Sequence, residues 1–263
     1  MKLKLAILML MLLVWQQAMG RIAIYGDTRT NPDIHALIVA KLVEQQPQLT
    51  IHTGDLNSKG TTQKEYDDFL CAIKPLSSIA PYYAVKGNHE KSRDLFLQNF
   101  PNLGEQGYAR IEHEGLLIYL LDSTADLVPG SAQYKWFSAA LTDSLPGIVV
   151  MHHPVFSSGY HGGDQALQMF LPQLLKKGRI LAVFSGHDHS YERSEFQGIS
   201  YIVTGGGGSL QREERTPNPH SLIFTNSYHY IVLSPGEHSW TAEVWNLEDK
   251  LLDSFRLETH EHE

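Results

Sequence analysis

Five short apolar runs in the sequence each end in polar side chains that can bind a metal ion. Stretches with helical periodicity separate the runs, a pattern typical of βα units that share a sheet. In four of the five cases a glycine follows the run, and its missing Cβ lets the chain turn tightly toward a common space. The runs are RIAIY before Gly26-Asp27, LTIHT before Gly54-Asp55, YYAVK before Gly87-Asn88-His89-Glu90, IVVM before His152-His153-Pro154, and ILAVFS before Gly186-His187-Asp188-His189.

The remaining pattern places secondary structure around these runs. Asn31-Pro32 is typical of a helix N-terminus, and Thr62 with Glu65 forms a capping box. Glu114-Gly115 predicts a hairpin turn between two strands. We predict strands at 21–25, 49–52, 82–85, 108–113, 116–122, 148–151, 180–184, 200–204, 229–233, 241–245 and 251–257, and helices at 31–46, after 62, and at 93–100, 131–145 and 164–175. Mixed βα units followed by antiparallel strands predict one α/β domain, with two sheets face to face and helices outside.

The N-terminal twenty residues resemble a secretory signal peptide. Lys2 and Lys4 precede an apolar run from Leu5 to Trp15, and small residues follow at Ala18 and Gly20. The run is shorter than the roughly 20 residues that span a bilayer. We therefore expect cleavage after Gly20, no membrane span afterwards, and a periplasmic or secreted protein; an uncleaved N-terminal anchor is the alternative.

Charge and cysteine content narrow the function classes. The 263 residues carry a formal charge of −8, and loss of the predicted signal peptide removes two of 21 basic residues and none of 29 acidic ones, which gives −10. So negative a chain is a poor electrostatic partner for nucleic acid. A single cysteine, Cys71, excludes an internal disulfide, so stability must come from the hydrophobic core.

The residues that follow the apolar runs predict a metal centre. Oxygen and imidazole donors without thiolates suit Mn, Fe or Zn. Six donors exceed what one zinc ion usually binds, which suggests two divalent transition metal ions that share a carboxylate. Such a cluster stays positive and attracts an anion, of which a phosphate ester is the expected one. The predicted donors are Asp27, Asp55, Asn88, His152, His187 and His189.

In this order, the motifs resemble the calcineurin-like metallophosphoesterase superfamily, and most of all its purple-acid-phosphatase-like branch. The resemblance rests on GD (26–27), GDLNSKG (54–60), GNHE (87–90), HHP (152–154) and GHDH (186–189), with GHDHSYER, QYKWF and YIVTGGGGSL typical of the branch. It covers residues 21–257 and implies a four-layer αββα sandwich over that range, with a C-terminal tail at 258–263.

The resemblance also implies roles for individual residues. Asp27, Asp55 and His189 would hold one ion, and Asp55, Asn88, His152 and His187 the other, with Asp55 as the bridge. His89 would face the scissile phosphate and assist the leaving oxygen, and Asn88 would lie at the substrate. His161, shifted by one position, resembles a substrate-facing histidine of the purple acid phosphatases.

Two positions depart from the family pattern. Many members have Asp-x-His in the first motif, where this chain has Asp27-Thr28-Arg29, and the coloured purple acid phosphatases have a tyrosine where this chain has Ser58. The first ion therefore lacks a usual protein ligand: it would bind weakly, accept an extra water, or recruit His35. GDLNSKG also lacks the arginine with which protein Ser/Thr phosphatases hold phosphate, so Arg29 or Arg93 could hold the substrate phosphate instead.

The resulting hypothesis is a secreted, dinuclear-metal hydrolase that cleaves a phosphorylated small molecule or other phosphate ester by in-line attack of a metal-bound hydroxide. Monoester, diester and pyrophosphate substrates stay open. The missing first-motif histidine motivates an alternative: a metal-binding envelope protein that recognises phosphorylated ligands with little or no turnover. A metal-free sandwich, which would need five coincidences, is a third hypothesis.

Overall fold

The computed structural model describes residues 20–141 and 145–259. The predicted signal peptide, apart from Gly20, and the last four residues of the predicted tail lie outside this part of the chain. Within it, no helix is long and apolar enough to cross a membrane.

One sheet combines three parallel strands from the N-terminal third with three antiparallel strands from the C-terminal end. Its members are β1 (Ile22–Tyr25), β2 (Leu49–His52), β3 (Tyr82–Ala84), β11 (His229–Pro235), β12 (Ser239–Asn246) and β13 (Leu251–Glu258). Their order is β13-β12-β11-β1-β2-β3. Strands β1, β2 and β3 pair in parallel, and β11 joins β1 in the antiparallel direction.

The second sheet is built from the middle of the chain. Its members are β4 (Ala109–His113), β5 (Leu116–Leu120), β6 (Pro146–Val150), β7 (Arg179–Ser185), β8 (Tyr191–Phe196), β9 (Ile199–Thr204) and β10 (Ser221–Thr225). Their order is β10-β8-β9-β7-β6-β5-β4. Strands β5, β6, β7 and β9 are parallel neighbours, so β6 and β7 end at the same edge of the sheet.

Five helices flank the sheets among the described residues: α1 (Pro32–Glu44), α2 (Gln63–Ser77), α3 (Arg93–Asn99), α4 (Ala132–Ala140) and α5 (Gln165–Leu175), with a short 3-10 turn at Pro101–Leu103. The predicted capping signals are confirmed. The Asn31 side chain accepts from the backbone of Ile34 with Pro32 next to it, and Thr62 and Glu65 form the reciprocal capping box.

The two faces of the second sheet belong to different parts of the core. Along β5, Leu116, Ile118 and Leu120 pack with residues of the first sheet, whereas Leu117 and Tyr119 pack on the opposite face with α4 and α5. This alternation follows from the two-residue period of a strand. The predicted fold class, two mixed sheets face to face with helices outside, is confirmed.

Three details differ from the prediction. Helix α4 ends at Ala140 with Leu141 as its C-cap, and β6 already begins at Pro146; residues 142–144 of the helix predicted at 131–145 lie outside the described part of the chain. Strand β8 was not predicted, since its polar sequence YERSEF does not show the apolar pattern of a buried strand. Strand β10 also lies where no strand was predicted, between the predicted strands 200–204 and 229–233.

Candidate metal centre

The six predicted donors come together where strands of both sheets end. Asp27, Asp55 and Asn88 follow β1, β2 and β3 of the first sheet, and the histidines follow β6 and β7 of the second. Residues beyond the carboxyl ends of neighbouring parallel strands meet at one edge, which is where ligands bind in open α/β sheets. The two sheets thus supply the acidic and amide oxygens from one side and the imidazoles from the other.

Asp55 lies at the middle of the cluster. Its Oδ1 atom is 3.4 Å from His152 Nε2, and donor atoms of Asp27, Asp55 and His152 all lie within 4.8 Å of one another. All three residues are buried. Asp55 is therefore placed to share its carboxylate between two neighbouring positions, as the predicted bridge requires.

Asn88 joins two of the histidines. Its Oδ1 atom is 2.9 Å from His152 Nε2 and also 2.9 Å from His187 Nδ1. One amide oxygen and two ring nitrogens thus face a single point, close to Asp55. This is the arrangement of donors that the second ion was predicted to need.

Asp27 has a buried oxygen without a hydrogen-bond partner. Its Oδ2 atom accepts from the backbone N–H of His187 at 2.9 Å, but Oδ1 is buried and unpaired. His189 Nε2 lies 3.6 Å from that atom. Burial, followed by the charge of Asp55, raises the pKa of Asp27 well above its ordinary value. A cation between the two carboxylates would relieve both costs.

Two of the histidines are fixed in the tautomer that a metal ligand needs. Nδ1 of His152 donates to the carbonyl oxygen of Thr53 at 2.9 Å, and Nδ1 of His189 donates to that of Leu210 at 2.7 Å. The Nε2 lone pair of each ring therefore points toward the cluster. Burial lowers the pKa of His152 well below its ordinary value and that of His189 to about 4, so both rings are neutral near pH 7.

His187 completes the set with its Nδ1 atom, and burial, followed by neighbouring histidines, lowers its pKa to about 2. Neutral imidazoles, an amide oxygen and an unpaired carboxylate oxygen fit one or two divalent cations of the Mn, Fe or Zn type. That the six residues bind metal stays a prediction.

The backbone at the cluster is strained. Asp27, Asp55 and His187 have φ angles of 60°, 57° and 71°, in the left-handed region that side-chain-bearing residues seldom adopt. The glycines beside them are needed for space: a Cβ at Gly87 would lie 2.3 Å from Asp55 Oδ1, and one at Gly186 would lie 2.3 Å from Asp27 Oδ2. This crowding explains the glycine that follows four of the five apolar runs.

Two residues with predicted roles lie at the rim of the cluster. His89 is 29% exposed, and its Nε2 atom is 3.9 Å from Asp55 Oδ2. His161 lies with its ring centroid 4.3 Å from that of His187, and its Nε2 atom is 2.9 Å from a guanidinium nitrogen of Arg212. Their roles toward substrate stay predictions.

Both arginines considered for phosphate binding have partners in the protein. Arg29 donates from Nε to Asp55 Oδ2 at 3.1 Å and lies 3.4 Å from His189 Nε2, within the cluster. Arg93 donates to the carbonyl oxygen of Glu105 at 2.7 Å. His35, which the sequence left open as a further ligand, contacts the hydroxyl of Tyr25 and stacks on Phe69 in the core instead.

Sequence reasoning gave no role to Glu90, a buried carboxylate next to Asp55. It accepts hydrogen bonds from the backbone N–H groups of Asp55, Asn57 and Gly87 at 2.9–3.0 Å. Burial, followed by the charge of Asp55, raises its pKa to about 7. The available signal was that this charged residue ends a motif with two predicted site residues, Asn88 and His89.

Asp188 and His153 also contribute to the site. Asp188 accepts from the backbone N–H of His161 at 2.8 Å and from the hydroxyl of Ser157, so it anchors the loop that carries His161. His153, which was not counted among the donors, forms a second potential ligand group with His152 and His187.

Comparisons with known proteins agree with this geometry. A model of the calcineurin-like phosphoesterase family matches residues 20–191. Probable purple acid phosphatase 20 of Arabidopsis thaliana is 31% identical over 206 residues, which cover 65% of this chain and 48% of the relative. Probable inactive purple acid phosphatase 24 of the same plant is 23% identical over 242 residues, 73% of this chain and 39% of the relative.

Structural similarity extends over more of the chain. Purple acid phosphatase PPD1 from yellow lupin (Lupinus luteus) seeds superposes with a TM-score of 0.75 at 18% identity, covering 91% of this chain and 53% of that one. At this identity the likeness concerns the fold alone. The chain spans about half the length of the curated relatives it matches. The family model, which matches well over half of the sequence, shows that the chain belongs to the calcineurin-like phosphoesterase family.

Proposed function

We propose that the protein is a secreted, dinuclear-metal hydrolase that cleaves phosphate esters by in-line attack of a metal-activated hydroxide. The observation that carries the proposal is the buried, unpaired Oδ1 of Asp27, 3.6 Å from His189 Nε2 in a cluster of six metal-capable side chains. A buried carboxylate oxygen without a partner is costly unless a cation binds it. Membership of the family supports the same chemistry.

The proposed ligands divide into two groups that share Asp55. Asp27, Asp55 and His189 would hold one ion, and Asp55, Asn88, His152 and His187 the other. When bound, two divalent ions would supply an activated water as nucleophile and neutralise the charge that develops at phosphorus. His153, close to His187, lies near enough to the second group to support it.

His89 would assist departure of the leaving group. Its Nδ1 atom donates to the carbonyl oxygen of Ser58 at 2.8 Å, which fixes the ring and leaves Nε2 free to exchange a proton. That atom faces the cluster beside Asp55 and is partly exposed, so a substrate oxygen can reach it. His89 would hold a proton at Nε2 and deliver it to the departing oxygen.

The remaining residues would position the phosphate group. Asn88 turns its oxygen toward two histidines, so its amide nitrogen is the group that would meet a phosphate oxygen. His161 lies over His187, held by the contact of its backbone with Asp188. Its Nε2 atom accepts from Arg212, so this neutral imidazole and the adjacent guanidinium would orient the substrate at the entrance.

Hydrolysis of two chromogenic esters tests the proposal. Purified protein loaded with Mn²⁺ should hydrolyse p-nitrophenyl phosphate, bis-p-nitrophenyl phosphate or both, and chelation should abolish the activity until Mn²⁺ is restored. A His152→Ala variant, which loses a fully buried donor proposed for the second ion, should be inactive under the same conditions. Which ester is cleaved also separates monoesterase from diesterase activity.

One specific observation favours the alternative, a metal-binding protein of the cell envelope with little turnover. Arg29 donates hydrogen bonds to Asp55 and His189, two of the three donors of the first ion. A relative of this chain bears the name of a probable inactive purple acid phosphatase. Protein that binds Mn²⁺ but hydrolyses neither ester would support the alternative and contradict the hydrolase.

Secretion is proposed from the N-terminal sequence, most of which lies outside the described residues. Gly20 is buried; its N–H donates to the Gln48 side chain at 2.8 Å and its carbonyl oxygen lies 3.0 Å from His113 Nε2. Cleavage after Gly20 would remove both contacts, whereas cleavage one residue earlier would keep them. N-terminal sequencing of the exported protein would locate the cleavage site, and a retained leader would indicate an anchor.

A further inference from the structure

Arg29 stands where many family members have a histidine, and its side chain occupies the edge of the cluster. Its guanidinium donates from Nε to Asp55 Oδ2 at 3.1 Å and from Nη2 toward His189 Nε2 at 3.4 Å. Only 14% of the Arg29 side chain and 2% of the Asp55 side chain are exposed, so water screens the pair poorly. The contact is therefore an ion pair within the site rather than on the surface.

The lone pairs that Arg29 uses are those that a metal ion would need. His189 donates from Nδ1 to Leu210, so Nε2 carries its only lone pair, and Arg29 points an N–H at that atom. Asp55 offers Oδ1 to the side of His152 and Oδ2 to Arg29. An ion at Asp27, Asp55 and His189 can therefore bind only if the Arg29 guanidinium first leaves Asp55 and His189.

We infer that Arg29 is an internal competitor of the ion at Asp27, Asp55 and His189, so that the two ions bind with unequal affinity. The inference rests on the proposed two-ion site and adds an order of loading. The ion held by Asp55, Asn88, His152 and His187 binds first and tightly. The other ion binds second, only after the Arg29 side chain has moved away.

The charge of Arg29 weakens binding of the second ion, and the geometry of its side chain allows it to move away when that ion binds. Even at the dielectric constant of water, a unit charge about 4 Å from a divalent ion lowers its affinity on the order of 30-fold. Displacement requires only a side-chain movement, because the backbone of Arg29 stays fixed by the hydrogen bond from the Ser58 hydroxyl to its carbonyl oxygen at 2.9 Å. The guanidinium can thus leave its two partners without unfolding the loop.

Titration with Mn²⁺ tests the inference without reference to turnover. Calorimetry on metal-free protein should give one tight and one weaker site, with dissociation constants at least about 30-fold apart. Arg29→Ala removes the charge without adding a ligand, and Arg29→His removes the charge and adds the family's donor. Both should tighten the second site, Arg29→His the more, and should change the affinity of the tight site by a smaller factor than that of the second site.

A surface arginine provides the matched control. Arg256 on β13 carries the same charge, pairs with Glu258 and does not contact the cluster, so Arg256→Ala should leave both affinities unchanged. Electron paramagnetic resonance supplies a second readout. With one equivalent of Mn²⁺ the wild type should give the signal of an isolated ion, whereas Arg29→His should show magnetically coupled pairs at a lower Mn²⁺ concentration than the wild type.

Three outcomes would overturn the inference. The first is two sites of equal affinity in the wild type, and the second is a weaker site whose affinity neither Arg29 variant raises. The third is the absence of Mn²⁺ binding in every variant, which would also overturn the proposed two-ion site. Failure of the hydrolase proposal gives a different result: the protein would have two unequal Mn²⁺ sites but no esterase activity. That result would contradict the hydrolase and leave the competition by Arg29 intact.

Discussion

Glu90 Oε2 accepts a hydrogen bond from the backbone N–H of Asp55 at 3.0 Å, so one buried carboxylate holds the loop that presents another. The same oxygen accepts from Gly87, and Oε1 accepts from Asn57. Three N–H groups in two loops are satisfied by one side chain, whose exposure is 0%. Glu90 thus positions Asp55 although it is not among the predicted donors.

Replacing Glu90 by glutamine should destabilise the protein and misplace Asp55. The amide NH₂ group must face at least one of the three backbone donors, and a buried donor without an acceptor costs about 1–3 kcal/mol. Urea titration should therefore show a loss of about 1–3 kcal/mol in unfolding free energy. The exposed Glu112→Gln is the control, and equal stability of the two variants would contradict the role given to Glu90.

Asp55→Asn should harm phosphoesterase activity more than Arg29→Ala. Asp55 is the only residue assigned to both ions, and its neutral amide would give up both the bridge and the charge. Arg29 contacts the cluster from one side only. With saturating Mn²⁺ we expect a loss on the order of 10³-fold or more in kcat for Asp55→Asn, the scale of removing a major electrostatic contact, and a much smaller change for Arg29→Ala. The opposite ranking in steady-state assays would mean that the bridging assignment is wrong.

The effect of removing His89 should depend on the leaving group. A proton donor matters most when the departing oxygen is basic, so His89→Gln should reduce hydrolysis of phenyl phosphate by about 10²–10⁴-fold and that of p-nitrophenyl phosphate by much less. The ratio of kcat values for the two esters measures this dependence. Equal losses for both would assign His89 to binding rather than to proton transfer.

The position of the cluster was predictable because it depends on strand ends. A strand followed by glycine and an acidic or histidine residue specifies both where the chain turns and which side chain turns inward, as at Asp27 and Asp55. The hairpin turn at Glu114 and Gly115 was predictable for the same reason, because it depends on a local sequence pattern. Both residues have positive φ, as the turn type requires.

What the sequence did not reveal depends on contacts between distant segments. The polar strand β8 is buried because Glu192 accepts from the backbone and hydroxyl of Ser158, 34 residues away, and from Asn218. The position of Arg29 against His189, 160 residues further along, likewise follows from how the sheets meet. No local pattern encodes such pairings, so periodicity alone could not have predicted them.

Acidification should unfold the protein partly through two histidines buried away from the cluster. His35 beside Tyr25 and His229 beside Thr204 are both buried, and burial lowers the pKa of each to about 4. An unfolded histidine titrates near 6.5, so between pH 6.5 and 4 the unfolded chain binds protons that the folded protein does not. This contribution to stability is complete above pH 6.5 and is lost as the pH falls toward 4.

His229→Gln removes one of these groups, so its stability should fall less than that of the wild type when the pH drops from 7 to 4. Between pH 7 and pH 4 the wild type should lose about 3 kcal/mol more of its unfolding free energy than His229→Gln does, the pKa shift multiplied by 1.36 kcal/mol per unit. Urea unfolding of both proteins at a series of pH values measures it. The exposed His238→Gln serves as the control and should follow the wild type; identical curves for all three proteins would mean that His229 is protonated in the folded state or does not titrate over this range.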